Sequence, residues 1–398
     1  MHILLIHQAF ASLNEPGGTR HHEIAQYLVE RGHRVTIIAS PVSYLTGKSD
    51  SGRDSLPDQP GIQIIRTYTY PALHRSFFHR IFSFLSFMIS SFVAGMKVGE
   101  VDLVWGTSPP IFQSLTAWAL AGIKRAPFLF EIRDLWPAFA IAVGVLHQPV
   151  LIAASEWLEK FLYRQADLVV VNSPGFIEHT RNRGARKVEL VPNGSDVGMF
   201  DPQDFDQVIL QEFQHPEKFV VLYAGAHGMS NDLGVVLEAA ELLQDRENIL
   251  VILLGDGKDK PSLQEQAERM QLTNVHFLPP ISKIEMPAAL AASDACIAIL
   301  KPIPLYGTVY PNKVFDYMAA GKPVLLAMQG VIQEVIESAE AGLVIPPGDP
   351  AALANGILYL ADNQDIGIQM GKKGRDYVIK HFDRPQQAEK FATLLESL

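Results

Sequence analysis

Short runs of apolar, often β-branched residues alternate along the chain with longer segments whose apolar positions recur every three or four residues. In the first half the runs cover His2–His7, Val35–Ser40, Ile62–Thr67, Val101–Trp105, Phe128–Ile132, Leu168–Asn172 and Val188–Val191, and each predicts a strand. Between the first two, Thr19–Arg31 places Ile24, Leu28 and Val29 on one side, and Gly32 follows where a helix C-cap belongs. Strands apolar on both faces and separated by helices predict a parallel sheet covered on each side. The pattern breaks at Pro192, where a stretch rich in turn formers and acids runs to Asp206 like a linker. A second series then predicts strands at Phe219–Tyr223, Ile249–Leu254, Val275–Leu278, Ala295–Leu300, Pro323–Ala327 and Gly342–Ile345. Helical patterns fill the gaps, for example Leu233–Leu243 and Pro261–Met270, and a last helix runs from Arg384-Pro385 to about Leu395. The expected fold is α/β: two Rossmann-like, doubly wound domains, residues 1–205 and 206–383, facing each other across a central cleft.

Composition narrows the class. The chain has 398 residues, 48% hydrophobic and 19% charged, which excludes a mainly disordered, collagen-like or coiled-coil protein. Its 33 basic and 43 acidic residues leave a net charge of -10, against nucleic acid as a partner. A single cysteine, Cys296, makes neither an internal disulfide nor a thiolate cluster and suits a reducing compartment such as the cytoplasm. The start, Met1 to Gln8, reads as a first strand rather than a secretory leader. No uncharged apolar run reaches the ~18 residues that cross a bilayer. The nearest, Ile81 to Met96, is slightly short and contains four serines, so a soluble or peripheral chain is expected.

Open parallel sheets bind ligands at the carboxyl ends of their strands, which directs attention to the loops there. Asn14-Glu15-Pro16-Gly17-Gly18-Thr19-Arg20 follows the first strand and opens a helix, either as a tight loop or as an approach for a phosphate or sugar. The Gly-x-Gly-x-x-Gly turn and the acid after strand two that a nicotinamide cofactor needs are both missing. In the second half, Tyr223-Ala224-Gly225-Ala226-His227-Gly228 and Leu254-Gly255-Asp256-Gly257 are glycine-rich turns after strands. In Tyr310-Pro311-Asn312-Lys313-Val314-Phe315-Asp316, Pro311 can start a helix that sets Lys313 and Asp316 on one face. Lys313 there could neutralise a phosphate and Asp316 could accept from sugar hydroxyls, or the two could form a surface ion pair.

The order of these motifs resembles glycosyltransferase family 4, whose members share the two-Rossmann GT-B fold and use nucleotide sugars. The resemblance rests on Pro16–Arg20, Gly32–Val35, Val191–Asp196, Leu254–Gly257, Asn274–Leu278 and Lys313–Pro323, and covers nearly the whole chain. Glu131-Ile132-Arg133-Asp134-Leu135-Trp136-Pro137 is similar to a bacterial subgroup that builds surface polysaccharides such as O-antigen. That likeness implies a UDP-sugar donor, such as UDP-N-acetyl-L-fucosamine, and an undecaprenyl diphosphate-linked N-acetylglucosamine acceptor. It also implies that Gly17 and Gly18 approach the diphosphate and sugar, that Pro280 and Ile281 pack on the base, and that Asp316 holds the ribose. The last helix, 384–398, would cross back onto the first domain. Two positions depart from the family: Thr308 stands where a first carboxylate is expected, and His227 and Asn231 replace a basic pair. Lys313, with Arg20, is then the candidate to balance the leaving diphosphate. Gly225, Gly255, Thr19, Tyr310 and Asn312 complete the expected donor site.

Glycosyl transfer passes through an oxocarbenium-like state while charge grows on the leaving group, which preorganised donors stabilise without a metal. Asp204-Phe205-Asp206 resembles a metal-binding D-x-D, but chance and its linker position favour a solvated acidic loop, so no metal or other cofactor is expected. Glu131 and Asp134, with Arg133 between them, could supply a base for the acceptor hydroxyl or simply brace their loop. Six phenylalanines crowd Phe77 to Phe92, with Ser76, His79, Ser83, Ser86 and Ser90 as a polar stripe. Arg75, Phe77, Phe78, Arg80 and Phe82 would face the membrane if this helix lies in the interface; otherwise it is a core helix. An isomerase on the same fold, which needs no acceptor, and a non-catalytic nucleotide-sugar-binding subunit remain the alternatives.

Overall fold

The structure, a computed structural model, describes residues 1–43, 59–71, 77–203 and 205–398. It divides into two compact units, one of Met1–Ser12, Gly18–Pro192 and Pro385–Leu398, the other of Leu13–Gly17 and Asn193–Arg384. Each is a parallel sheet flanked by helices.

The strands of unit 1 are β1 (His2–Ile6), β2 (Arg34–Ala39), β3 (Ile62–Arg66), β4 (Leu103–Ser108), β5 (Phe128–Ile132), β6 (Leu168–Val171) and β7 (Val188–Leu190). They lie in the order β3-β2-β1-β4-β5-β6-β7, with every pairing parallel. Its helices are α1 (Arg20–Glu30), α2 (Phe77–Lys97), α3 (Phe112–Lys124), α4 (Ala138–Ala142), α5 (Pro149–Gln165) and α6 (Ile177–Asn182). The fourth strand runs later than the apolar pattern predicts, Leu103–Ser108 rather than Val101–Trp105. Its ladder to β5 extends as far as Ser108↔Ile132, so backbone pairing carries a Gly-Thr-Ser stretch that has no apolar signal.

Unit 2 contains β8 (Phe219–Ala224), β9 (Ile249–Leu254), β10 (Val275–Leu278), β11 (Ala295–Ile299), β12 (Val324–Ala327) and β13 (Gly342–Val344), in the order β10-β9-β8-β11-β12-β13. Its helices are α7 (Gln207–Phe213), α8 (Leu233–Glu241), α9 (Lys260–Arg269), α10 (Met286–Ala291), α11 (Asn312–Ala319), α12 (Val331–Ala339), α13 (Pro350–Asp362) and α14 (Gln364–His381). A final helix, α15, spans Arg384–Glu396.

The units part between Pro192 and Asn193, before the end of the linker-like stretch rather than at residue 205. The reason is packing: Phe200 is 1% exposed and joins the core of unit 2 beside Val220 and Phe315. The C-terminal helix belongs to unit 1, where Phe391, Ala392 and Leu395 share a core with Ile3 and Trp105, and the Phe391 and Trp105 rings lie 4.6 Å apart. Arg31 adds ion pairs to Glu389 and Glu396 on the same helix.

Helix α2 differs from the expectation that its apolar run is too short. It has 21 residues, and its segment His79–Lys97 is long and apolar enough to cross a membrane. It is not a core helix either. Phe87 is fully buried, but Phe82, Ile89, Val93 and Met96 are 61, 63, 50 and 46% exposed. The serines face the protein instead: Ser86 Oγ accepts from the Tyr70 N–H at 2.9 Å, and Ser90 Oγ donates to the Tyr68 carbonyl at 2.6 Å. The amphipathy is inverted, with hydroxyls inward to satisfy the chain before the helix and apolar side chains outward. Arg80 is half-buried. Arg75 lies outside the described residues; Phe77 and Phe78 open the helix.

Candidate functional site

In unit 2 the strand order reverses between β8 and β11, which makes the loops after these strands the switch point. They are tied together: the Lys301 N–H donates to the Ser230 carbonyl at 2.9 Å, and the Tyr306 hydroxyl donates to Ser230 Oγ at 2.5 Å. A cavity of about 170 Å³ opens along the second loop, lined in part by Lys301, Tyr306, Gly307 and Gln329.

The glycine turns are shaped by close approach. Gly225 and Gly255 have φ of 147° and 146°, and a Cβ on Gly255 would collide with the Gly225 carbonyl oxygen. Tyrosines hold the first turn. Tyr317 Oη accepts from the Ala224 N–H at 2.9 Å, and Tyr223 Oη donates to the Ala226 carbonyl at 2.7 Å. Lys260 holds the second, its Nζ donating to the carbonyls of Gly255 and Leu278 at 2.7 and 2.8 Å.

At these turns the polar atoms of two side chains are buried with no hydrogen-bond partner among the described residues. Lys313, in the first turn of α11, sets its Nζ 3.8 Å from the centre of the Tyr223 ring with no hydrogen-bond acceptor. Burial pulls its ammonium down to about 7. A Cβ on Gly225 would come within 2.6 Å of that nitrogen, so only glycine leaves the amine room beside the turn. His227, fully buried, has both ring nitrogens unpartnered, and burial, followed by Lys260 and Lys313, lowers it to about 4. A neutral donor and an ammonium without acceptors, beside two glycine turns, are suited to an anion.

Asp316, expected to meet sugar hydroxyls, is mostly engaged within the protein. Its Oδ1 accepts from Ser195 Oγ at 2.8 Å, and its Oδ2 accepts from Lys283 Nζ at 2.6 Å and Asn312 Nδ2 at 3.1 Å. Asn312 in turn accepts from Arg384 at 2.9 Å, and the Tyr310 carbonyl accepts from Asn193 at 2.7 Å. Lys313 and Asp316 therefore do not pair with each other, although they share a helix. Ser195, Lys283 and Arg384 were not legible as partners because each arrives from a distant part of the chain. Of the remaining expected donor residues, Asn231 closes the turn after Gly228, its N–H donating to that carbonyl, and Thr308 Oγ1 donates to the Leu305 carbonyl. Pro280 and Ile281 follow β10, both half-buried. Tyr310 is pushed up to about 12 by burial. Asp206 caps α7 by accepting from the N–H groups of Val208 and Ile209, while Asp204 lies outside the described residues.

In unit 1 the order reverses between β1 and β4. Glu131, next to last in β5, has no exposure, its oxygens accepting from Arg20 Nε at 2.9 Å, His21 Nε2 at 2.7 Å and Trp105 Nε1 at 3.1 Å. Burial alone would raise its pKa, but His21 and Arg20 hold it well below the usual carboxylate range. Arg20 also donates to the carbonyls of Val191 and Pro192, so this pair fastens β7 to α1. Arg133 donates to Thr107 Oγ1 at 2.9 Å and to the Pro109 carbonyl at 2.8 Å. Asp134 is the accessible carboxylate here: it is half-buried, and burial, opposed by Arg133, raises it to about 6. Thr19 Oγ1 donates to Glu23, and the space beside Gly18 is open, while Gly17, at φ 147°, groups with unit 2. His7, just after β1, carries no functional signal in the sequence; it is fully buried, both ring nitrogens lack a hydrogen-bond partner among the described residues, and its ring lies 4.3 Å from that of His21.

Two doubly wound units, the second with a buried ammonium and a buried imidazole beside the glycine turns of its switch point, define a protein of the nucleotide-binding α/β class. A glycosyl transferase 4-like domain matches residues 17–194, and the glycosyl transferases group 1 family matches residues 218–363. Between them they span most of the chain, which belongs to the group 1 glycosyltransferases and is an enzyme of that family. It is 24% identical over 75% of its length to 76% of WcaI of Escherichia coli (strain K12), a candidate glycosyl transferase of colanic acid biosynthesis. Its fold is similar to the sucrose-phosphate synthase of Thermosynechococcus elongatus, with a TM-score of 0.77 at 18% identity, covering 100% of this chain and 98% of that one. It is also similar to HepE of Anabaena, solved in complex with UDP and glucose, with a TM-score of 0.75 at 18% identity and all of both chains covered. The two-domain fold is that of the GT-B glycosyltransferases.

Proposed function

We propose that this glycosyltransferase moves a sugar, N-acetyl-L-fucosamine in the first instance, from UDP to an undecaprenyl diphosphate-linked N-acetylglucosamine acceptor in surface-polysaccharide synthesis. The observation that carries the donor half is the Lys313 ammonium, buried without an acceptor beside the Gly225 turn. An enzyme that must stabilise a departing diphosphate needs preorganised charge of this kind. Lys313, with the His227 N–H, takes the place of the missing basic pair, while Gly225 and Gly255 let the phosphates approach the backbone. Asp316 has about one acceptor site left of a carboxylate's four, enough for a single ribose hydroxyl. Pro280 and Ile281 offer an apolar surface to the base. The Escherichia coli relative, with its role in colanic acid biosynthesis, supports the polysaccharide setting.

Unit 1 receives the acceptor, and Asp134 is its base. A carboxyl raised to about 6 is ionised near neutrality yet basic enough to draw a proton from a hydroxyl. No metal takes part. The enzyme works in the cytoplasm on the inner face of the membrane, held there by the outward apolar side of α2.

The deciding assay measures UDP release from UDP-N-acetyl-L-fucosamine and other UDP-sugars, with and without the lipid-linked acceptor. Acceptor-dependent release is expected, unchanged by EDTA. Conversion of the donor without acceptor would make the protein an isomerase, and tight UDP binding without any turnover would make it a binding subunit. Turnover lost to EDTA and restored by magnesium or manganese would refute the metal-free mechanism.

A further inference from the structure

A cavity of about 700 Å³ lies away from both switch points, along the β3 edge of the sheet in unit 1. One wall is β3, whose Gln63 and Ile65 face it with Thr67 just beyond, the alternation of a single strand face. The other wall is the last two turns of α2, where Val93 and Lys97 line it one turn apart. Arg34 and His2 close the end at the starts of β2 and β1.

The charge of this lining is unlike that of the chain. Overall the protein carries -10, yet the cavity wall holds Arg34 and Lys97 and no carboxylate. Lys97 has no hydrogen bond or ion pair among the described residues, and Arg34 spends one Nη2 bond, 2.8 Å, on His2 Nδ1. The nearby carboxylate of Asp102 is occupied by the His2 backbone N–H at 2.6 Å. Helices α2 and α3, which pack together, contain no acidic residue at all.

Val93 belongs to two features at once. It lines the cavity, and with Phe82, Ile89 and Met96 it forms the exposed stripe of α2 at spacings of seven, four and three residues, a stripe about 21 Å long on one face of the helix. An apolar stripe therefore runs directly into a cationic pocket. The ligand chemistry that satisfies both is amphiphilic, with an acyl chain against the stripe and a phosphate between Arg34 and Lys97.

We propose that this cavity is a headgroup site for an anionic glycerophospholipid of the membrane surface. It deepens the peripheral-membrane reading, on which it rests, by giving the contact a lipid preference. The stripe supplies general attachment; Arg34 and Lys97 add selectivity for anionic over zwitterionic lipid. Together the two cations should tighten binding roughly tenfold or more.

The test is co-sedimentation of the full chain with vesicles of phosphatidylcholine alone and of phosphatidylcholine mixed with phosphatidylglycerol. Three variants are compared with the parent, and far-UV circular dichroism checks that each is folded. Arg34→Gln/Lys97→Gln should lose roughly tenfold of the affinity for mixed vesicles and bind pure phosphatidylcholine as before. Arg186→Gln/Lys187→Gln, the same charge change beside β7 at the opposite edge, should leave both unchanged. Phe82→Ser/Ile89→Ser should weaken binding to both kinds of vesicle. Equal losses from the two charge variants would mean diffuse attraction and overturn the site, as would a parent that binds both vesicles equally. In either case the peripheral reading survives. A parent that binds neither vesicle overturns both proposals. Loss of the preference for mixed vesicles in millimolar inorganic phosphate at constant ionic strength would replace the lipid with a soluble anion.

Discussion

The Lys313 ammonium stands 3.8 Å from the centre of the Tyr223 ring, over the aromatic face and with no hydrogen-bond acceptor among the described residues. A cation in this position is costly in the empty protein and valuable once an anion enters. The same cost that lowers its pKa is removed when a diphosphate takes the place of the missing solvent.

Burial that depresses Lys313 to about 7 sets the sign of its pH dependence. Bound diphosphate needs the charged form, so UDP affinity measured calorimetrically should be flat below about pH 7 and fall toward tenfold per unit above it. Lys313→Met should weaken UDP binding by roughly 10- to 100-fold and abolish the dependence. The linkage to folding has the opposite face. A lysine depressed in the native state binds its proton more tightly when unfolded, so the empty protein gains stability as pH rises from about 7 toward 10.5. Lys313→Met should therefore raise the Tm of the empty protein at neutral pH by the equivalent of about 1–3 kcal/mol. A lower Tm would show that the ammonium already has a partner.

Asp316 and Lys283 form a buried pair at 2.6 Å. Removing one member strands the other, which costs about 3–5 kcal/mol, so Asp316→Ala should lower the urea midpoint sharply. Lys283→Met/Asp316→Ala should recover most of that loss while still binding UDP about fivefold more weakly than the parent, the share of one ribose hydroxyl. Full recovery of both would leave Asp316 a purely structural residue.

Burial, opposed by Arg133, raises the Asp134 carboxyl to about 6. As the base it must be ionised, so kcat should climb with pH through about 6 and level off above. Asp134→Asn should cost about 10²–10⁴ in kcat and erase that limb. Near-normal turnover of the variant would remove Asp134 from the reaction.

Glu131 is held by Arg20, His21 and Trp105 and has no exposed surface. Glu131→Gln leaves Arg20 without its counter-charge and should destabilise unit 1 by about 3–5 kcal/mol, read as a lower denaturant midpoint. The kcat of the folded fraction should stay within about threefold of the parent. A large fall in kcat at unchanged stability would restore Glu131 as a base.

Much of the architecture is legible in the chain because burial on both faces of a parallel sheet demands near-continuous apolar strands. Phe128–Ile132 and Ile249–Leu254 are readable to the residue for that reason. The β4 end is not, since Gly106, Thr107 and Ser108 are strand only through pairing with β5. The serines of α2 mislead in another way. Their spacing reveals a stripe, but periodicity carries no sign of direction, and it is the carbonyl of Tyr68 and the N–H of Tyr70 that turn them inward.

By itself the sequence determined the two α/β units, the glycine turns and the presence of Lys313 and Asp316 on one helix, because these follow from local patterns of size and polarity. Tertiary structure alone decided what those side chains meet. Asp316 gathers Ser195 and Lys283 from positions remote in the chain, while Lys313 is left without an acceptor. Hydrogen-bond satisfaction is a property of three-dimensional neighbours, and no spacing along a strand or helix encodes it.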